Sequence, residues 1–216
     1  KALSGRARRL ARNLDQFLHA ANSHLSPASD IPRPLHTEWA WRPDLWSRPV
    51  KPEGLVSVAN GTALSREVKI FSDCPDSQVS ARQSRNAGSV DAAAFGLHLD
   101  VYRFRGGFLS LAVDLPADAI NGLSRRHLFR LGVKKDSERP ISLFGRLNIR
   151  HGPNIEQIVR RFEGGADDFV DLDVATTQLD EERITGAWLD LIFEAPEMNR
   201  IWIGDVTVSR RPRAEY

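Results

Sequence analysis

An all-β protein built as antiparallel sheets packed face to face is predicted by three features of this 216-residue sequence. Beyond residue 63 apolar residues recur every second position, the rhythm of strands with one face buried. Turn residues separate these short runs. No helical pattern long enough to cross over between parallel strands lies among them. Regular short strands of this kind imply two stacked sheets, a β-sandwich or jelly roll.

Three segments are expected. Residues 1–26 form a basic amphipathic helix: Leu3, Ala7, Leu10, Leu14, Phe17, Leu18 and Ala21 make one stripe, Arg6, Arg8, Arg9 and Arg12 occupy the rest of the circumference, and Asn22-Ser23 and Pro27 end it. Residues 27–62 hold six of the twelve prolines and three of the five tryptophans, Trp39, Trp41 and Trp46. Proline at that density forbids a helix interior. A free linker does not carry so much indole surface, so this segment is read as a strap pinned to the body.

The body, residues 63–216, carries the alternation. Val68 and Ile70, then Val79 and Ala81, open it. Phe95, Leu97, Leu99 and Val101 follow, with a change of phase at Tyr102 and Phe104 that marks a bulge. Next come Leu109 to Val113, His127 to Val133, Ile141 to Ile149, Val170 to Val174 and Leu189 to Phe193. Ile201 and Ile203 stand out of phase with Val206 and Val208 across Gly204-Asp205, a second bulge.

Net charge is only +2, with 41% hydrophobic and 27% charged residues, ordinary for a globular chain. The charge is uneven. Lys1, Arg6, Arg8, Arg9 and Arg12 face Asp15 alone near the start, so contact with an anionic surface would run through this helix and be weak and salt-sensitive. Cys74 is the single cysteine, which rules out an intramolecular disulfide and fits a reducing, cytoplasmic setting. The longest apolar runs are strand-length, so no transmembrane segment is expected. No apolar run follows the first charges, so no secretory signal is expected either, although a chain starting at Lys1 leaves room for an upstream portion. The oligomeric state is open.

Recognisable catalytic signatures are missing. The six histidines show no ligand spacing and Cys74 cannot build a thiolate site alone, so neither zinc nor another cofactor is expected. Asp205 at the second bulge, or Asp167 and Asp168 in a loop, are weak calcium candidates. No Gly-x-Ser-x-Gly occurs, and Cys74 between Asp73 and Asp76 is a poor thiolate. The reading leans away from an enzyme. One that acts on a saccharide or acyl substrate is the alternative, and a Ser–His contact or a carboxylate pair in a pocket would favour it.

Strand parity names a suspect surface. If each apolar set faces inward, its neighbours face outward. That exposes His98 and Asp100; Arg146, Asn148 and Arg150; Trp188 and Asp190; and Trp202. Two tryptophans beside arginine, asparagine and aspartate have the makings of a sugar platform, since indoles stack on apolar C–H faces while amides and carboxylates hold hydroxyls. Cover by the helix or the strap is the stronger expectation for the same face, since exposed tryptophan pairs are uncommon on monomers, and it would make Trp188 and Trp202 a second small core. His151, Asn154 and Gln157 are a further candidate group, converging beside the turn Gly152-Pro153.

Thr37-Glu38-Trp39-Ala40-Trp41-Arg42-Pro43, the run from Phe95 to Phe104, and the closing stretches Glu197 to Ile201 and Arg211 to Glu215 resemble a family of unknown function found in alphaproteobacteria, common among Rhodobacter relatives. That resemblance implies no catalytic residue. The last strands, Trp188 to Phe193 and Ile201 to Val206, are similar to the closing strands of galactose-binding-like jelly rolls and carbohydrate-binding modules, which implies the fold. The expected function is a non-catalytic binding or interaction module with a glycan or protein partner. Scaffolding through the basic helix is a further alternative.

Overall fold

The computed structural model describes residues 31–86, 93–165 and 167–214. The expected helix of residues 1–26, with Arg6, Arg8, Arg9 and Arg12, lies outside the described residues. Among these, thirteen strands form two antiparallel sheets stacked as a sandwich. The seven-stranded sheet runs β11 (Asp167–Asp173), β8 (His127–Ser137), β13 (Asn199–Pro212), β6 (Phe95–Arg103), β5 (Gln78–Arg85), β2 (Gly54–Leu55), and β1 (Trp39–Trp41) pairs with β13 off this path. The six-stranded sheet runs β10 (Asn154–Arg161), β9 (Leu143–His151), β12 (Ile184–Glu194), β7 (Phe108–Asp114), β4 (Val68–Ser72), β3 (Thr62–Ala63).

The alternation behaves as strand geometry requires. Leu97, Leu99, Leu111, Phe129, Leu131, Leu147, Leu191, Phe193 and Ile203 are all buried between the sheets. Both expected bulges are present. Tyr102 is the extra residue where Gln78 pairs with Arg103 and Val79 with Val101, and Gly204 is the extra residue between Ile203 and Asp205. Each extra residue flips the parity that follows it, which is why Phe104 and Val206 point inward.

The strap is woven into this core. Trp39 and Trp41 pair with Arg210 and Val208, so β1 occupies the lane beside β13 that β6 leaves after Ile203. The two indoles stack 6.3 Å apart, and Trp39 meets Phe129 edge-on. A one-turn helix, α1 (Asp44–Ser47), then packs Leu45 and Trp46 against β6 and β13. Trp46 is fully buried and its indole N–H donates to the Ile203 carbonyl at 3.0 Å. Gln83 supplies the partners that this irregular backbone lacks. Its amide donates to the carbonyls of Leu45 and Arg48 and its carbonyl accepts from Val50 N–H. Pro43 and Pro49 flank α1, with the backbone at Pro43 and Arg48 extended on either side of it, and the tryptophans anchor the segment.

Arg42 completes the attachment. Its guanidinium makes a two-pronged contact with Asp205, Nε to Oδ1 at 2.8 Å and a terminal nitrogen to Oδ2 at 2.9 Å, with both side chains largely buried. This corrects the reading of Asp205 as a calcium ligand. A bound guanidinium already supplies the cation, and the Gly204 bulge places the carboxylate where only Arg42 reaches both oxygens. Burial pushes the Asp205 carboxyl above its ordinary value, against the hydrogen bonds and charge of Arg42. Asp168 is likewise engaged, accepting from the N–H groups of Gly164 and Phe169. Among the described residues, no three His, Cys, Asp or Glu side chains gather as a metal site, and no helix is long and apolar enough to cross a membrane.

At the outer strand β11, Arg130 binds Asp171 through Nε and a terminal nitrogen at 2.8 and 2.7 Å and lies over the Phe169 ring, 3.9 Å from its centroid. The Arg130 hydrogen bond, then its charge and that of Arg211, hold the Asp171 carboxyl below its ordinary 3.8, against burial. A depressed carboxyl stabilises the fold above its unfolded value and stops doing so as pH falls through its folded value. Asp171→Asn is therefore expected to lower stability at pH 7 by about 1 kcal/mol or less, as suits a partly exposed pair. In urea titrations at stepped pH, the gap to the parent should close below pH 3.8.

Candidate functional site

The outer face of the six-stranded sheet gathers five of the expected residues. β9 alternates Leu143, Leu147 and Ile149 inward with Phe144, Arg146, Asn148 and Arg150 outward. β12 does the same with Leu189, Leu191 and Phe193 inward and Trp188, Asp190 and Ile192 outward. The register sets them side by side: Trp188 opposite Asn148, Asp190 opposite Arg146, and Ile192 opposite Phe144. On the far side of Asn148 stands Gln157 of β10, and on the far side of Trp188 stands Asp114 of β7.

These side chains form one connected polar network. Arg146 Nε donates to Asp190 Oδ2 at 2.8 Å, and Asn148 Nδ2 donates to the same oxygen at 2.8 Å. Gln157 donates to Asn148 Oδ1 at 3.0 Å. Asn148 also points an N–H at the Trp188 carbonyl, 3.4 Å away. Asn148 is wholly buried and Asp190 only 4% exposed, although both lie on the non-core side of the sheet. Trp188 itself is half-buried, with the Arg150 guanidinium 5.5 Å from its ring centroid. A buried, mutually satisfied set of amide, carboxylate and guanidinium is held rigidly, because each member is costly to leave unpaired.

Exposed apolar groups Ile155 and Val159 on β10 border the network, with Arg161 lying over Phe144, and Phe71 is exposed on β4, two strands from β12. The sequence reading passed over them. β10 is an edge strand whose inward residues are Glu156 and Ile158, so its alternation is too faint to see, and Ile155 and Val159 break the polar-out rule.

Trp202 is not part of this face. It sits on β13, in the other sheet, with Ile201 and Ile203 inward, and so points from the opposite side of the sandwich. His98 and Asp100 on β6 are its neighbours there: His98 pairs across from Trp202, and Asp100 accepts from Arg200 Nε at 2.8 Å. The single two-tryptophan platform is therefore replaced by two separate tryptophan faces, since parity tells inside from outside but not one sheet from the other. Residues 31–62 cover neither face in the way considered above. They enter the core and the sheet edges instead.

His151, Asn154 and Gln157 do not converge. His151 has the core parity of β9, is buried, and accepts the Asp180 N–H at 3.2 Å. Asn154 is exposed at the start of β10, and Gln157 turns outward to Asn148.

A Ser–His contact does exist. Ser124 Oγ lies 3.0 Å from His127 Nδ1, and His127 Nε2 lies 3.1 Å from Glu38 Oε2. Its local wiring is that of a turn. The Ser124 backbone N–H and carbonyl lie 3.0 and 3.2 Å from Nδ1, so the main chain of the turn already engages that nitrogen, while Nε2 faces Glu38. A ring nitrogen occupied by the main chain of its own turn is poorly placed to deprotonate the adjacent hydroxyl. Glu38, also 3.7 Å from Arg210, is thereby tied to β8 and β13, which anchors β1.

The chain matches, over residues 1–216, the family model described as a family of unknown function, DUF6478. No curated protein matches it. Among solved structures it is similar to the enzymatically active domain of bacteriophage CBA120 tailspike protein 4, with 12% identity and a TM-score of 0.45. That likeness covers 70% of this chain and only 21% of the tailspike chain. It is also similar to a family 11 carbohydrate-binding module from Clostridium thermocellum in complex with a β-1,3-1,4-mixed-linked tetrasaccharide, with 7% identity, a TM-score of 0.42, and 76% and 98% of the two chains covered. A Stig cyclase from Fischerella sp. TAU shows 8% identity and a TM-score of 0.39, covering 88% and 97%.

Proposed function

The chain belongs to DUF6478, a family of unknown function, and from its own geometry we propose that it is a non-catalytic binding module that seats a glycan across Trp188 on the outer face of the six-stranded sheet. The observation that carries this reading is a half-buried indole set beside a preformed polar network on the non-core side of a sheet. Burying polar side chains on an outer face is expensive unless they are fully paired, and it leaves them preorganised at no further cost when a ligand arrives. A pyranose ring lays its C–H surface on the indole. Its hydroxyls then meet Arg146, Arg150 and Gln157, the accessible groups of the face, two of which the buried Asn148 and Asp190 hold at fixed positions. Recognition rather than turnover is the chemistry that a stacking ring beside a paired polar network supports.

A glycan array probed with the labelled chain tests the idea. Retention on a defined set of saccharides is expected, and Trp188→Ala should weaken it at least tenfold, about 1.4 kcal/mol. Arg146→Ala should weaken it less, and because it leaves the buried Asp190 carboxylate with Asn148 alone it should also lower the thermal midpoint. An array with no retained saccharide, or binding indifferent to Trp188, would remove the proposal.

A further inference from the structure

We infer that the seven-stranded sheet carries a second platform, centred on Trp202, that accepts a β-linked, equatorially substituted pyranose on the side of the sandwich opposite Trp188. For its ligand class the inference rests on the proposed function; for its site it stands on different residues.

The Trp202 ring lies flat on the sheet. A Cβ placed on Gly204 would sit 2.3 Å from one carbon of its six-membered ring and 2.5 Å from the next. A Cβ placed on Gly96, one strand away, would sit 2.5 Å from the indole nitrogen. Both ends of the indole therefore rest on bare backbone, one on β13 and one on β6, so its plane runs parallel to the sheet. Only glycine at both positions permits this. The bulge at Gly204 opens the space by inserting one residue without a side chain. One π-face is spent on the glycines, and the opposite face is turned outward from a half-buried residue.

Hydrogen-bonding groups flank that outer face. His98 of β6 is directly across from Trp202 on one side and Asp136 of β8 on the other. Neighbouring strands stand about 4.8 Å apart, so these two groups bracket a single sugar ring. Arg82 lies beyond His98 on β5. Burial, then the charge of Arg82, lowers the proton affinity of His98, which keeps the imidazole neutral and able both to donate and to accept; its Nε2 is 2.9 Å from Ser84 Oγ. A pyranose with equatorial hydroxyls presents C–H groups to the indole and its hydroxyls edgewise, toward His98 and Asp136. An axial hydroxyl would strike the ring. Stacked sheets are about 10 Å apart and fully filled, so one short glycan does not reach both tryptophans. Two faces then bind two chains, and the module bridges them.

The test uses the full chain, nitrogen-15 labelled, titrated with cellohexaose, a β-1,4-linked glucose hexamer, while the tryptophan indole N–H resonances are followed. Trp46, bonded to the Ile203 carbonyl, is the internal control. Saturable shifts are expected at both Trp188 and Trp202, with Trp46 stationary. Trp202→Ala should reduce affinity at its own face at least tenfold and leave the Trp188 shift intact, whereas Trp202→Tyr, which keeps a ring over the glycines, should stay within a fewfold of the parent. Mixing the parent with soluble β-glucan should raise light scattering through bridging, an effect lost in Trp188→Ala and in Trp202→Ala alike. If Trp188 shifts and Trp202 does not, the second platform is wrong and the first reading stands. Movement of Trp202 alone would keep the second platform and leave the first reading to the array. Two stationary indoles overturn the inference, and the first reading then depends on the array.

Discussion

Trp46→Ala is expected to lower stability by about 3–5 kcal/mol, the range for removing a large aromatic side chain from a packed core. For a chain of this size that corresponds to a melting midpoint roughly 6–20 °C below the parent. The cost has two sources. The indole is completely buried, in a helix of only four residues that could not hold its conformation alone. Its N–H also satisfies the Ile203 carbonyl at the position where β13 bulges and β6 departs, so the alanine variant leaves that carbonyl without its indole donor in the interior. Trp46→Phe should recover most of the packing but not the hydrogen bond. Thermal unfolding followed by circular dichroism measures both. A midpoint within two degrees of the parent for the alanine variant would mean that residues 44–47 are not part of the folding core.

Arg42→Leu should be similarly damaging, about 3–5 kcal/mol, because it strands the largely buried Asp205 carboxylate. Replacing both partners, as Arg42→Leu with Asp205→Leu, is expected to restore most of the loss, since a buried pair contributes little beyond an apolar one of matched volume. The single variant also carries a pH signature. Burial already raises the Asp205 carboxyl in the intact protein, and removing Arg42 takes away the largest of the influences that pull it down. A group whose folded proton affinity exceeds its unfolded one binds more protons folded than unfolded, so its contribution falls as pH rises through the folded value. The deficit of Arg42→Leu should therefore shrink as urea titrations move from pH 7 down toward 3.8. A deficit constant across that range, or a double variant no better than the single, would contradict the ion-pair account.

Much of this architecture was legible beforehand because burial on one face of a strand imposes a period of two. The inward sets from Phe95 to Val101 and from Leu189 to Phe193 were visible as such, and so were both bulges, since an inserted residue shifts the phase that follows it. The outward set Arg146, Asn148, Arg150, Trp188 and Asp190 followed from the same parity. β10 was missed, because an edge strand with Glu156 on its inner side and Ile155 and Val159 on its outer side inverts the expected pattern. The strap was seen as pinned, but its depth was not. Proline spacing announces an extended chain, and nothing in the spacing says that three tryptophans enter a sheet edge and a core.

By itself the sequence determined the class of fold and, from β4 onward with β10 excepted, the strand phases and which side chains turn from the interior, all of which depend on local repeat and on nearest neighbours along the chain. Tertiary structure alone decided which sheet each strand joins. Sheet membership is set by pairing between residues far apart in sequence, such as Trp188 with Asn148 and Trp202 with His98. That pairing parted two tryptophans only fourteen positions distant onto opposite sides of the molecule, gave Asp205 to Arg42, and laid one indole flat over Gly96 and Gly204.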